Sequence, residues 1–148
     1  MFKLQIKYLS FFFGIVSILS FFNILYSYYF NLYLNLDTYY FTFVTSFILF
    51  IVLFKFGKYN FKSNIFDKIL TIFLGYLLIP LVLSIPFYFS IYNLTFSNSF
   101  FEAISGFTST GFTVFDNIKL VDQSLIIWRS STQWIGGLYF LFSIIYLI

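Results

Sequence analysis

Ser99-Phe-Phe-Glu102-Ala-Ile-Ser-Gly106-Phe-Thr108-Ser109-Thr110-Gly111-Phe-Thr113 lies between two long apolar runs, and it is itself too short and too polar to cross a membrane. Its front half reads as a helix start. Ser99 with Glu102 three residues later is a capping-box pattern, in which the serine oxygen meets the N–H at Glu102 and the carboxylate reaches back. Phe100, Phe101, Ala103 and Ile104 then form an apolar turn, and Gly106 marks the expected helix end. A helix from Phe100 to Phe107 would be roughly 12 Å long, under half of a bilayer core.

A helix of that length entering a bilayer and stopping midway would aim the partial negative charge of its last carbonyls at the membrane centre. Thr108-Ser109-Thr110-Gly111 follows immediately. A cation filter needs an extended run of carbonyl oxygens that replaces the ion's water shell. Small residues let backbones approach, and a glycine reaches the dihedrals that turn successive carbonyls the same way. Irregular backbone at membrane depth is tolerated only inside protein or along a wet cavity. These arguments suggest a re-entrant pore loop. An ordinary outer loop rich in Ser, Thr and Gly fits the spacing equally well.

The membrane itself follows from composition. Hydrophobic residues make up 61% of the 148, charged residues 9%, and mean hydropathy is +0.95. A soluble domain carries about 25% charged residues, so these cannot cover a water-facing surface. The uncharged runs Tyr8 to Leu36, Thr38 to Phe54, Ile69 to Phe101 and Ser130 to Ile148 match the ~17–25 residues a spanning helix needs. Four spans are expected: Tyr8 to Phe30, Tyr39 to Phe56, Ile69 to Tyr92 with kinks at Pro80 and Pro86, and Trp128 onward. Lys3 and Lys7 precede an apolar stretch too long for a cleavable signal, so the first span is retained.

Lysines set the expected orientation. Lys3 and Lys7 precede the first span, and Lys55, Lys58, Lys62 and Lys68 separate the second from the third. By the positive-inside rule, the N-terminus and residues 55–68 are cytoplasmic, and Ser97 to Ile127 lies outside. The same lysines also suit a patch for anionic lipid or a cytoplasmic partner, although plain topology accounts for them. The formal charge of +3 therefore speaks to topology, and no nucleic-acid partner is expected. The Phe-rich composition, 26 Phe and 13 Tyr, is what lipid-facing positions and an A/T-rich genome accept, and it carries no functional weight.

With no Cys and no His, thiol chemistry, disulfides and the commonest metal ligand and general base are excluded. Asp37, Asp67, Asp116 and Asp122 lie outside the expected spans, so no paired acid and base assembles within the membrane and no enzyme is expected. Arg129, at the outer end of the fourth span, either pairs with Asp116, Asp122 or Glu102, or is an interfacial residue held by Trp128 and Trp134. The interfacial reading is preferred. Gln133, Gly136 and Gly137 read as close-packing positions.

Phe101 to Thr113 resembles the first filter region of the Trk/Ktr/HKT superfamily of potassium transporters. Trp128-Arg129-Ser130-Ser131-Thr132-Gln133-Trp134-Ile135-Gly136-Gly137 is similar to the start of the helix after that filter. The two blocks stand in family order and cover about the last third of the chain. The resemblance implies an all-α integral membrane protein: two leading transmembrane helices (1–68, with the Lys-rich loop) and one M1–pore loop–M2 repeat (69–148) of a potassium-channel-like fold. It implies that backbone carbonyls near Thr108, Ser109, Thr110 and Gly111 coordinate potassium, the transported ion, with no other cofactor. Ser109 stands where the family often has threonine, and Leu138-Tyr139-Phe140 replaces the small residues usual after the paired glycines.

A family filter uses four such strands and this chain carries one. It also stops at Ile148 inside an apolar run, which reads as a partial sequence, a degraded gene product or an unusual homotetramer. The implied function is potassium transport by the pore-forming subunit of a Trk-type uptake system in the cell membrane. The implied partners are the bilayer, the remaining repeats or a second copy, and a cytoplasmic nucleotide-binding regulatory subunit. The alternative is a non-conducting scaffold or accessory subunit of a larger transporter.

Overall fold

A computed structural model describes residues 5–57 and 64–148, so Lys3, Lys58 and Lys62 lie outside the described residues. The helices are α1 (Ile6–Tyr29), α2 (Leu36–Phe56), α3 (Ile65–Leu83), α4 (Ile85–Tyr88), α5 (Phe96–Phe107) and α6 (Gln123–Leu147), with a 3-10 turn at Ile118–Leu120. No strand occurs among the described residues. Ile6–Tyr29, Leu36–Phe56 and Ile65–Tyr88 are each long and apolar enough to cross a membrane. The chain is a multi-pass, all-α membrane protein.

Burial runs opposite to that of a water-soluble helix. On α1 the buried positions include Ser10, Ser17, Ser20, Asn23 and Ser27, while Phe11, Ile18, Phe21, Phe22 and Leu25 point outward. On α2, Thr38, Thr42 and Ser46 recur every fourth residue on the buried face, and Phe41, Phe47, Ile48 and Ile51 are exposed. Small residues let helix backbones come close, and lipid accepts the large apolar ones. Several buried hydroxyls are satisfied by donating back along their own helix: Ser20 to Val16 O at 3.0 Å, Thr42 to Thr38 O at 2.7 Å, Ser46 to Thr42 O at 2.7 Å; the Ser27 hydroxyl has no partner among the described residues.

The third expected span is shorter than its uncharged run. The helix carries Pro80 inside it, breaks at Ser84, resumes with Pro86 in the first turn of α4, and ends at Tyr88 rather than Tyr92. The fourth expected span differs more. α6 has 25 residues, enough for about 37 Å, but it is not among the three helices apolar enough to span. It begins at Gln123, ahead of Trp128, and its front half carries Arg129, Ser130, Ser131, Thr132 and Gln133. That half is built to meet protein.

The core joins α1, α3, α5 and α6 through Phe12, Val16, Ile79, Leu83, Phe107, Trp128, Ile135 and Tyr139, all essentially inaccessible. Tyr139 fits because Gly75 on α3 leaves room: a Cβ there would stand 1.8 Å from the tyrosine oxygen. The hydroxyl donates to Ile72 O at 2.9 Å. A bulky residue after the paired glycines is thus housed by a glycine on the neighbouring helix.

Candidate functional site: the α5 end and the strand after it

α5 starts earlier than the capping box predicts. Its cap is Thr95, whose Oγ1 accepts the Asn98 N–H at 3.3 Å. Ser99 sits one turn inside and donates to Thr95 O at 3.0 Å. The Ser99–Glu102 box is therefore not formed, and the helix has 12 residues, about 18 Å. Gly106 does not end it either. A Cβ at Gly106 would meet Thr132 Oγ1 at 2.0 Å, so the glycine permits the crossing of α5 and α6.

The helix ends through a hydrogen-bonded reversal. Thr110 N–H donates to Ser105 O at 3.0 Å and Ser109 N–H to Gly106 O at 2.9 Å, with Ser109 at φ +56°. This is a Schellman motif with serine in the left-handed position. A β-branched threonine would fit that conformation poorly, so serine suits it. The Ile104 carbonyl accepts both Thr108 N–H and Thr108 Oγ1, each at 2.8 Å. The carbonyls of Ile104, Ser105 and Gly106 are therefore paired, whereas no donor among the described residues reaches that of Phe107, so only the last of the helix carbonyls is left unpaired as expected. The helix still ends in a negative dipole.

Beyond the reversal, Thr108 to Phe112 is exposed. Gly111 takes φ +81°, open to glycine at no steric cost, and a Cβ there would meet nothing within 4 Å. Among the described residues, no donor reaches the carbonyls of Thr108, Ser109 or Thr110. Thr108, Ser109, Thr110 and Gly111 thus form one continuous, outward-facing backbone run. An open cavity of about 280 Å³ adjoins it, lined by Tyr76, Phe107, Thr108, Ser109, Gly137 and Phe140 among others.

The strand is braced from behind. Glu102 is fully buried. Its carboxylate accepts Arg129 Nε at 2.5 Å, Val114 N–H at 2.9 Å, and the Thr113 hydroxyl, placed 3.1 and 3.0 Å from its two oxygens. Arg129 Nη2 donates to Gly111 O at 3.2 Å and Phe112 O at 3.0 Å, and Ser105 Oγ donates to Phe112 O at 2.6 Å. A buried carboxylate is costly unless paired and hydrogen-bonded. Here it is both, and the far end of the exposed run, from Gly111 to Val114, is tied to it directly or through Arg129.

This overturns the interfacial reading of Arg129. Trp128 is completely buried, donating Nε1 to Leu83 O at 3.0 Å, and only Trp134 is exposed. Of the three candidate acids, Glu102 makes the ion pair. Asp122 serves elsewhere: it accepts from Asn35 Nδ2 at 3.0 Å and from Ser124 Oγ, joining the α1–α2 connection to the start of α6. Gly136 packs as expected, since a Cβ there would lie 1.8 Å from Phe107 O, whereas Gly137 faces open space. Sequence reasoning missed Tyr76 and the bracing by Glu102, Thr113 and Ser105. The available signal was a lone carboxylate inside an apolar helix turn, costly at membrane depth without a named partner.

With that geometry in place, the chain's relatives can be stated. It is 36% identical over 64 residues to an uncharacterised cation transporter of Methanocaldococcus jannaschii, covering 43% of this chain and 14% of that protein. It is 34% identical over 73 residues to the Trk system potassium uptake protein TrkG of Escherichia coli, 49% of this chain and 15% of that one. The Trk system potassium uptake protein TrkI of Halomonas elongata is 37% identical over 60 residues, 40% of this chain and 11% of that one. The chain is similar to a part of these cation and potassium transporters. The match spans only about a seventh of those relatives' length. No family model matches, and no solved structure matches significantly. The relatives named here are transporters, in keeping with the non-enzymatic expectation.

Proposed function

We propose that α5 and the strand after it form a re-entrant pore loop, and that this chain contributes the pore-forming part of a potassium uptake system. On this reading residues 1–68 are the leading hairpin and 69–148 one M1–pore loop–M2 unit, with α3 and α4 as M1, α5 as the pore helix and α6 as M2. Carbonyls of Thr108, Ser109 and Thr110 face the ion, and Gly111 turns the strand while Arg129 holds its carbonyl from behind. The observation that carries the reading is a run of exposed residues directly after a 12-residue helix, with no donor among the described residues to the carbonyls of Thr108, Ser109 and Thr110, and with the Glu102–Arg129 pair bracing its far end. Filters made of backbone need such external support, because flexible carbonyls do not hold a fixed coordination shell.

The lysine pattern puts the N-terminus and residues 55–68 in the cytoplasm and brings the loop in from the outer side. A complete fourfold pathway takes further filter strands, from additional repeats or from other copies. A cytoplasmic nucleotide-binding subunit is the regulatory partner implied by the resemblance.

The test is potassium-limited growth of an uptake-deficient strain expressing the full-length reading frame. Growth is restored by the natural protein and abolished by Gly111→Asp, which adds a side chain and a charge to the strand. Undiminished growth with Gly111→Asp defeats the pore-loop reading. Absence of flux, together with stable co-purification with a separate transporter, supports the accessory-subunit alternative.

A further inference from the structure

At the end of the bundle opposite the α5–α6 site, the start of α1 meets the ends of α2 and α6 around a cavity of about 420 Å³. Its wall changes character along the helices. Lys7 lines it near the start of α1, and Phe11 lines it one turn further along the same face. Phe50 and Phe142 complete the aromatic part of the wall, with the Phe11 and Phe142 rings 6.0 Å apart.

Cations converge on the Lys7 end of the wall. Lys7 Nζ lies 5.5 Å from the centre of the Phe54 ring, and Lys68 Nζ lies 5.4 Å from that of Tyr146, both rings being part of the lining. The cation–π contacts hold Lys7, a lining residue, and Lys68, outside the lining but against its Tyr146 ring, on the same cavity. Among the described residues, no carboxylate lines the cavity. Asp67, the acidic residue at this end among the described residues, is buried and not part of the wall. Of the four described lysines, Lys7, Lys55 and Lys68 lie at this end and Lys119 does not.

We propose that this cavity binds one anionic glycerophospholipid, with its phosphate between Lys7 and Lys68 and an acyl chain along Phe11, Phe50 and Phe142. Charge complementarity selects the occupant. A zwitterionic lipid carries a compensating cation to an end already holding two, and a free phosphate leaves the aromatic wall unfilled. Each lysine near an anionic lipid surface is worth about 1 kcal/mol, or about fivefold in affinity.

The experiment is native mass spectrometry of the detergent-solubilised full chain, titrated with phosphatidylglycerol and phosphatidylcholine of matched acyl chains. Phosphatidylglycerol is expected to be retained roughly tenfold over phosphatidylcholine. Lys7→Gln should cut that ratio about fivefold, and Lys7→Arg should restore it. Lys55→Gln, exposed and outside the wall, should leave it unchanged, as should an excess of glycerol phosphate. Equal retention of the two lipids, a ratio unaffected by Lys7→Gln, an equal loss with Lys55→Gln, or displacement by glycerol phosphate each overturns the proposal.

Discussion

The leading hairpin and the α5–α6 unit are built on opposite principles. α1 and α2 are joined by packing of small buried residues, and their outward faces are a field of interchangeable Phe, Ile and Leu. Only 17% of the most apolar stretch of α2 is buried, against 50% for α1. The α5–α6 unit depends on particular partners: Glu102 on Arg129, Thr113 and Val114, Gly106 on Thr132, and Gly136 on the Phe107 carbonyl. The lesson is that tolerance to change should be uneven. Where lipid is the neighbour, size and apolarity suffice. Where an irregular segment is held against buried polar groups, each group needs its own partner, because a buried unpaired one costs about 1–3 kcal/mol.

The largest break in this contrast is expected at Glu102. Glu102→Ala removes the carboxylate and leaves Arg129, only 15% exposed, without its ion-pair partner. Breaking such a pair costs about 3–5 kcal/mol. Thermal unfolding of the detergent-solubilised chain should show it directly, and potassium-limited growth should fail. A stability change below about 1 kcal/mol would mean that Arg129 finds another partner and that the bracing described here is incidental.

The adjacent glycines give a sharper comparison. Gly136→Ala would drive a Cβ to 1.8 Å from Phe107 O and 2.8 Å from its Cα, contacts with backbone that no rotamer relieves. Overpacking of this kind costs about 1–3 kcal/mol. Gly137→Ala enters open space and should stay within about 0.5 kcal/mol. If the two variants unfold together, the approach of α6 to the end of α5 is not the one described.

Much of this architecture was legible from local signals. Long charge-free runs located the three apolar helices to within a few residues, and a short apolar turn ahead of Thr-Ser-Thr-Gly located α5. Gly136 was recognised as a packing residue. The failures share a cause. The capping box assigned Glu102 a partner three residues away, but its partners are Thr113, Val114 and Arg129, reached only once α6 folds back across α5. Gly106 looked like a helix end because glycine commonly takes that role, yet serine at 109 supplies the left-handed residue and Gly106 supplies clearance. Trp128 next to Arg129 suggested an interfacial anchor, and helix rotation instead buries Trp128 against Leu83. Sequence pattern reports which residues can pair locally. Which faces meet is settled by tertiary packing.

The smallest effect expected is on the lipid side of α2, and it is informative because it is small. Phe47 is 44% exposed, its ring parallel to that of Phe43 with centroids 5.9 Å apart and 6.4 Å from that of Phe50, and both ring neighbours lie on the same helix. Phe47→Leu exchanges one large apolar side chain for another against hydrocarbon, which solvates both well. Stability should move by less than about 0.5 kcal/mol, and potassium-limited growth should be unchanged. A loss above about 1 kcal/mol in the membrane-embedded protein, absent in the isolated chain in detergent, would show that protein covers this face. The hairpin would then be an interface with its own specific partners, and the contrast drawn between the two regions would hold only for the isolated chain.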